Sequence, residues 1–269
     1  MEMNGKPHEA YELLGNYLDD LPPLDEEAAY NQWSGVERMR LAAMAHKLGL
    51  MADTYSRSRE EEEKWLTWAV QRTLKDIRLL NETSDRSIPS LGAGRPLREL
   101  ELPDWVTRSD LLVFLESLGE FHAKTNKTRY VVWTRRDTYL DFLHGSLAII
   151  LYGQVLSILQ TDFGDRTKLK NLCHAARVFS NQCELYCRPS LPKEGNMSSD
   201  VLLQKAEVSA LFALKIIEFV QDNPDPNQVT SVCDETFGVA MANLATINTV
   251  SAPHLTLFVH ASIVFADQG

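Results

Sequence analysis

Apolar residues recur at helical spacing along nearly the whole chain, and that periodicity fixes the expected fold class as all-α. Residues 36–55 set Leu41, Met44, Ala45, Leu48, Met51, Ala52 and Tyr55 on one face, with a thinner stripe at Met39, Ala43, Lys47, Leu50 and Thr54. The run Glu60 to Glu63 opens a second helix that continues through Trp65, Leu66, Ala69, Val70 and Leu74. Carboxylates in a first turn are favoured by the helix dipole. Residues 81–103 hold Pro89, Gly92, Gly94, Pro96 and Pro103 and read as a connecting loop. Beyond it, Asp104 or Thr107 caps a helix over 109–124. Further helices are expected over 139–161, 167–186, 199–221 and 234–249, with breaks at Pro189, Pro192 and 223–226. Only 130–138, with Val131, Val132 and Trp133, has a β-like composition.

Composition narrows the function classes. A chain of 269 residues that is 44% hydrophobic and 24% charged can bury a continuous core without disulfides. The net charge of −10 argues against a nucleic-acid scaffold, because phosphate binding draws on clustered Lys and Arg. The four cysteines, Cys173, Cys183, Cys187 and Cys233, leave most of the chain unstapled, and no signal peptide opens it, so a reducing compartment is expected. Glycosylation-type triplets at Asn81, Asn126 and Asn196 carry little weight without a secretory signal. The first thirty residues are acidic, unlike an Arg-rich presequence. Residues 140–159 contain Asp141, His144 and Gln154, and the apolar run 255–266 is short, so neither meets the criterion of about 20 uncharged residues for a membrane span.

No motif of catalysis stands out. Gly92-Ala93-Gly94 is a lone GxG in a loop with no strand before it, where a structural turn is the simpler reading. Neither HExxH nor GxSxG occurs. Cys173, His174, Cys183 and Cys187 form one loose cluster rather than two tight pairs, which reads as buried cysteine at packing positions and not as a zinc site. Trp65 and Trp68 read as core or interface aromatics. No cofactor is implied.

Internal repetition is the stronger signal. HKLGLMADTY around Leu48-Gly49, LESLGEFHAKTNK around Leu118-Gly119, SNQCELY from Ser180 and NLATI from Asn243 are four fragments of one pattern, each opening a helix pair. In KAEVSALFALKI, Ala206 and Ala213 lie seven residues apart, two turns of one face, where methyl side chains permit close packing. These fragments resemble the tetratricopeptide repeat (TPR) family over roughly 39–250. The resemblance implies a right-handed array of antiparallel helix pairs. Gly49, Gly119, Cys183 and Ala245 lie about 60–70 residues apart against a standard period of about 34, so long inter-helix loops are expected. The last repeat is incomplete: a first helix runs into the apolar stretch 251–269, as in a truncated or altered form of a longer repeat protein. Three parts are therefore expected, an acidic N-terminal segment 1–35, a repeat region 36–250 and an apolar tail 251–269.

ERMRLAAMAHKLGLMADTY followed by EEEKWLTWAV more narrowly resembles the fungal TPR adaptor of the mitochondrial inner-membrane i-AAA protease. That resemblance implies a scaffold, not an enzyme, that hands unfolded membrane proteins to an AAA protease complex at the inner membrane. Such adaptors carry an N-terminal anchor, which is not seen before Glu9; without one, the expected compartment is cytoplasmic. Groove-facing positions of the family project onto His46, Leu50 and Asp53, then Glu116, Glu120 and Lys124, then Arg177, Glu184 and Arg188, with Asn181 beside them. Arg177, Asn181 and Arg188 suit an acidic end, but Glu116, Glu120 and Glu184 interrupt the basic surface. A mixed-charge groove for an extended or helical peptide is the expectation, with protein or peptide partners and no nucleic acid. An α-helical enzyme without a motif, or a membrane-associated helical protein, are the alternatives.

Overall fold

A computed structural model describes residues 7–21, 32–54, 58–82, 101–128, 137–188, 199–225 and 231–251. Among them all regular structure is helical: α1 (Pro7–Asp19), α2 (Gly35–Thr54), α3 (Arg59–Glu82), α4 (Arg108–Thr128), α5 (Asp137–Leu159), α6 (Leu169–Tyr186), α7 (Ser199–Asp222) and α8 (Ser231–Ser251), with short 3-10 turns at Gln160–Asp162 and Arg166–Lys168. The β-like segment 130–136 lies outside the described residues, and Asp137 and Thr138 open α5.

Local chemistry sets the starts. Ser34 and Glu37 form a reciprocal capping box: the Glu37 carboxylate accepts from Ser34 N at 2.8 Å while Ser34 Oγ accepts from Glu37 N at 3.3 Å. These bonds hold the exposed Glu37 carboxyl below its ordinary range. Ser58 Oγ caps α3 through Glu61 N at 3.2 Å, just ahead of the acidic run. Of the two candidate caps for α4, Thr107 takes the role, its Oγ1 accepting from Asp110 N at 3.0 Å. Before α6 the chain turns at Gly164, whose φ of +83° suits glycine, and the Asp165 carboxylate accepts from Thr167 N at 2.8 Å.

The molecule divides into two compact units, 1–161 and 162–269. In the first, α2 pairs with α3 and α4 with α5, while α3 also packs on α4 and α1 on α2. Both pairs are antiparallel. Arg38 near the start of α2 meets Asp76 near the end of α3, and Gly49 near the end of α2 abuts Leu66 near the start of α3. Likewise Arg108 opens α4 and donates to Ile158 O and, at 2.7 Å, to Thr161 Oγ1 at the end of α5. The expected faces are the buried ones: Leu41, Ala45, Leu48 and Ala52 of α2 and Trp65, Leu66, Ala69, Val70 and Leu74 of α3 form core.

α1 is an addition to the sequence expectation, which set 1–35 aside as an acidic segment. Tyr11 and Leu18 are buried, the Tyr11 hydroxyl donates to Glu61 Oε2 at 3.2 Å, and Asp19 pairs with Lys64.

In the second unit α6 and α7 are an antiparallel pair, and α8 packs on both. Phe179 stacks on Phe212 at 5.3 Å between ring centroids, and Cys183 packs against Ala206 and Ala210. Against α8 the order of contacts runs the other way: Cys173 bonds Cys233, Ser180 O accepts from Asn243 Nδ2 at 3.3 Å, and Cys183 clusters with Ile247. α6 and α8 therefore run parallel. The Cys173–Cys233 disulfide was not among the sequence expectations, which left most of the chain unstapled; the two cysteines, 60 residues apart, meet with Cα atoms 5.0 Å apart because adjacent helices bring them together.

Candidate peptide-binding surface

The candidate residues fall on three stripes, one to each of α2, α4 and α6. Their spacings are three and four residues, so the members of each stripe are neighbours on a helix surface. On α2, Leu50 is 48% exposed, while His46 is buried at 8%; the side chain of Asp53 lies outside the described residues. His46 faces α4. Its ring lies 4.8 Å from that of Phe114 between centroids, and Nε2 is 2.9 Å from Ser117 Oγ. Burial holds its pKa below the ordinary 6.5, against the opposing pull of Asp110. His46 thus joins the first helices of two successive pairs instead of lining a solvent-filled groove.

On α4, Glu116 is buried, Glu120 is half-buried and Lys124 is exposed. This stripe therefore grades from the interior to solvent over two turns. On α6, Arg177, Asn181 and Glu184 are half-buried, and Arg188 lies just past the helix end. Arg188 Nη2 holds Glu184 Oε1 at 2.9 Å, an i,i+4 pair. That guanidinium is already engaged by a carboxylate, which works against a cluster of cations clamping an anionic peptide terminus. The α2 and α4 stripes belong to one unit and the α6 stripe to the other.

The glycines of the first two repeat fragments lie where paired helices pack closely on the backbone. A Cβ on Gly49 would lie 2.7 Å from the Leu66 side chain and 3.3 Å from Leu66 N, and one on Gly119 would lie 3.0 Å from the Tyr152 ring. At the third fragment Cys183 fills this role against Ala206 and Ala210; at the fourth, Ala245 is exposed.

A polar cluster absent from the sequence expectations sits at the other end of the α2–α3 pair. Arg38 Nε donates to Asp76 Oδ1 at 2.8 Å, Trp105 Nε1 donates to Asp76 Oδ2 at 2.9 Å, and the Arg38 guanidinium lies over the Trp105 ring at 5.8 Å. Asp76 is 3% exposed and Arg38 11%. The three residues come from two helices and the turn before a third, and nothing in their spacing announces them. Trp105 also packs flat on Gly35, where no Cβ would fit.

Among the described residues no group of three or more His, Cys, Asp or Glu side chains is placed to hold a metal ion, and no helix is long and apolar enough to cross a membrane. The stretch 140–159 forms most of α5; 255–266 lies outside the described residues. The chain matches no family model, no curated protein and no solved structure.

Proposed function

We propose that this chain is a TPR-like interaction scaffold whose two units each bind an extended or helical peptide on the faces of their first helices, α2 and α4 in the first unit and α6 in the second. The observation that carries the reading is the packing within the second unit, where α8 runs parallel to α6 and contacts both members of the preceding pair. A helix-pair repeat stacks in this way, each new first helix lying beside the last one. In the first unit the His46 contacts with Phe114 and Ser117 likewise join α2 to α4, and α4 packs on α3. The close approaches at Gly49 and Gly119 fall on the Leu-Gly pairs of the repeat fragments.

Such arrays use concave faces lined by successive first helices. Here those faces offer Leu50 as an exposed apolar contact, Glu120 and Lys124 as opposite charges one turn apart, and Asn181 beside the Glu184–Arg188 pair. Mixed charge and an apolar anchor suit a peptide with both, not a uniformly acidic tail. The resemblance to the i-AAA protease adaptor makes unfolded segments of inner-membrane proteins the first partner class to try, with delivery to the protease as the role.

A peptide-display selection followed by fluorescence anisotropy tests the proposal. Glu120→Arg should weaken peptides bound by the first unit and Arg177→Glu those bound by the second, each by several kcal/mol, as juxtaposed like charges do. Selection of no peptide, or affinities untouched by both reversals, would remove the groove reading.

A further inference from the structure

Three of the first helices bury one and the same face. A small residue at the close approach and the residues four, seven and eight before it are neighbours on a helix surface. In α2 these are Gly49, Ala45, Ala42 and Leu41, all buried. In α4 they are Gly119, Leu115, Leu112 and Leu111, again all buried. In α6 they are Cys183, Phe179, Ala176 and Ala175; the small ones are buried and Phe179 stacks on Phe212 of α7. The following helix lies against each small residue, through Leu66 of α3 at Gly49, Tyr152 of α5 at Gly119, and Ala206 and Ala210 of α7 at Cys183.

The same positions of α8 are Ala245, Met241, Gly238 and Phe237, and all four are exposed, Met241 by 46% and Phe237 by 43%. The opposite side of α8 is the one in use: Cys233 is bonded to α6 and Ile247 packs on Cys183. The chain continues from Ser251 through Ala252, Pro253 and His254 into 255–266, a run with no Asp, Glu, Lys or Arg. Leu255, Val259 and Ile263 recur in it every four residues, the period of one helix face. A proline just past a helix end suits a stop, and a link of this length is what joins antiparallel helices, about 2–5 residues.

We propose that 255–266 seats on the exposed face of α8 as the second helix of a fourth pair, with Leu255, Val259 and Ile263 as the side that meets it. Twelve residues of helix rise about 18 Å. That length carries the segment back from the end of α8 past Ala245 and Met241 and stops short of Gly238. Ala245 then stands where Gly49 and Gly119 stand, its methyl permitting the two helices to approach. The inference rests on the pairing of helices and not on peptide binding by the first-helix faces, so either can fail alone.

The test uses the full chain. A diazirine-bearing residue at Met241 should crosslink within one chain, and chymotryptic mapping should join 238–244 to 259–265. The same group at Thr246, exposed on another side of α8 and nearer the link, should capture little of the segment. Val259→Asp combined with Ile263→Asp should abolish the Met241 crosslink. Oxidation of Met241 by hydrogen peroxide reads the same contact without a crosslinker, and should be several-fold slower in the unsubstituted chain than in the double variant. Absence of the crosslink, a crosslink between two copies, capture at Thr246 equal to that at Met241, or equal oxidation rates in the two chains would each overturn the proposal.

Discussion

At the scale of single residues, glycine separates two kinds of position in the same kind of helix. Gly49 and Gly119 sit where a second helix lies against the backbone, whereas nothing lies within 4 Å of a Cβ on Gly153 in α5 or Gly238 in α8. Gly→Ala gains about 1 kcal/mol of helix propensity anywhere in a helix interior, while overpacking costs about 1–3 kcal/mol. Gly153→Ala and Gly238→Ala should therefore raise stability by up to about 1 kcal/mol, and Gly49→Ala should lower it by up to about 2 kcal/mol, the difference between these terms. Urea unfolding of the four single variants reads the sign directly, with Gly119→Ala expected to follow Gly49→Ala. These positions were legible in advance, since Leu48-Gly49 and Leu118-Gly119 lie at the heart of two repeat fragments. His46 was legible as a residue on a first-helix stripe, yet its burial was not, because Phe114 and Ser117 come from another helix 68 and 71 residues away. Its pH dependence follows from that burial. The folded-state pKa is depressed, so the unfolded chain binds the proton more readily and stability rises with pH through this window. The contribution should be intact above pH 6.5 and decline as pH falls towards the lowered folded value. His46→Gln should flatten that part of the profile; an unchanged slope would show that another group sets it.

Between elements, the Arg38–Asp76–Trp105 cluster fastens the start of α2 to the end of α3 and to the turn that leads into α4. Removing one member of a buried ion pair leaves the other without its counter-charge, at a cost of about 3–5 kcal/mol. Asp76→Ala should lose about 3 kcal/mol in chemical denaturation, as Arg38 retains its bond to Trp33 O at 2.5 Å and some exposure. Losses below 1 kcal/mol, the usual yield of an exposed pair, would mean that solvent replaces the carboxylate. Helix existence was readable here from the apolar period, with Thr107 among the caps expected for α4; the caps at Ser34 with Glu37 and at Ser58 emerge from the structure. α1 escaped the reading for a compositional reason. Tyr11, Leu14, Gly15 and Leu18 hold a helical period, but Asp19, Asp20, Asp25, Glu26 and Glu27 dominate the segment's character, and only Asp19 of these belongs to the helix.

For the whole molecule, redox chemistry is confined to one of the two units. Residues 1–161 contain no cysteine, while Cys173–Cys233 closes a loop of 60 residues between α6 and α8. Closing a loop of that length is worth about 4 kcal/mol through the entropy of the unfolded chain. Reduction should therefore lower hydrogen-exchange protection in α6, α7 and α8 and leave α2 and α3 unchanged; equal protection before and after would show that the helices hold without the bond. Sequence pattern could not foresee this link, because pairing of cysteines depends on which helices become neighbours.

The central claim is that the first helices present the binding face, and photo-crosslinking locates such a face most directly. A photoreactive residue placed singly at Leu50 or Lys124 in the first unit, or at Asn181 in the second, should capture display-selected peptides that bind that unit. The same group at Gln71 or Lys215, exposed positions on the second helices α3 and α7, should capture none. Capture on the second helices instead, or equal capture at all five positions, would contradict the account.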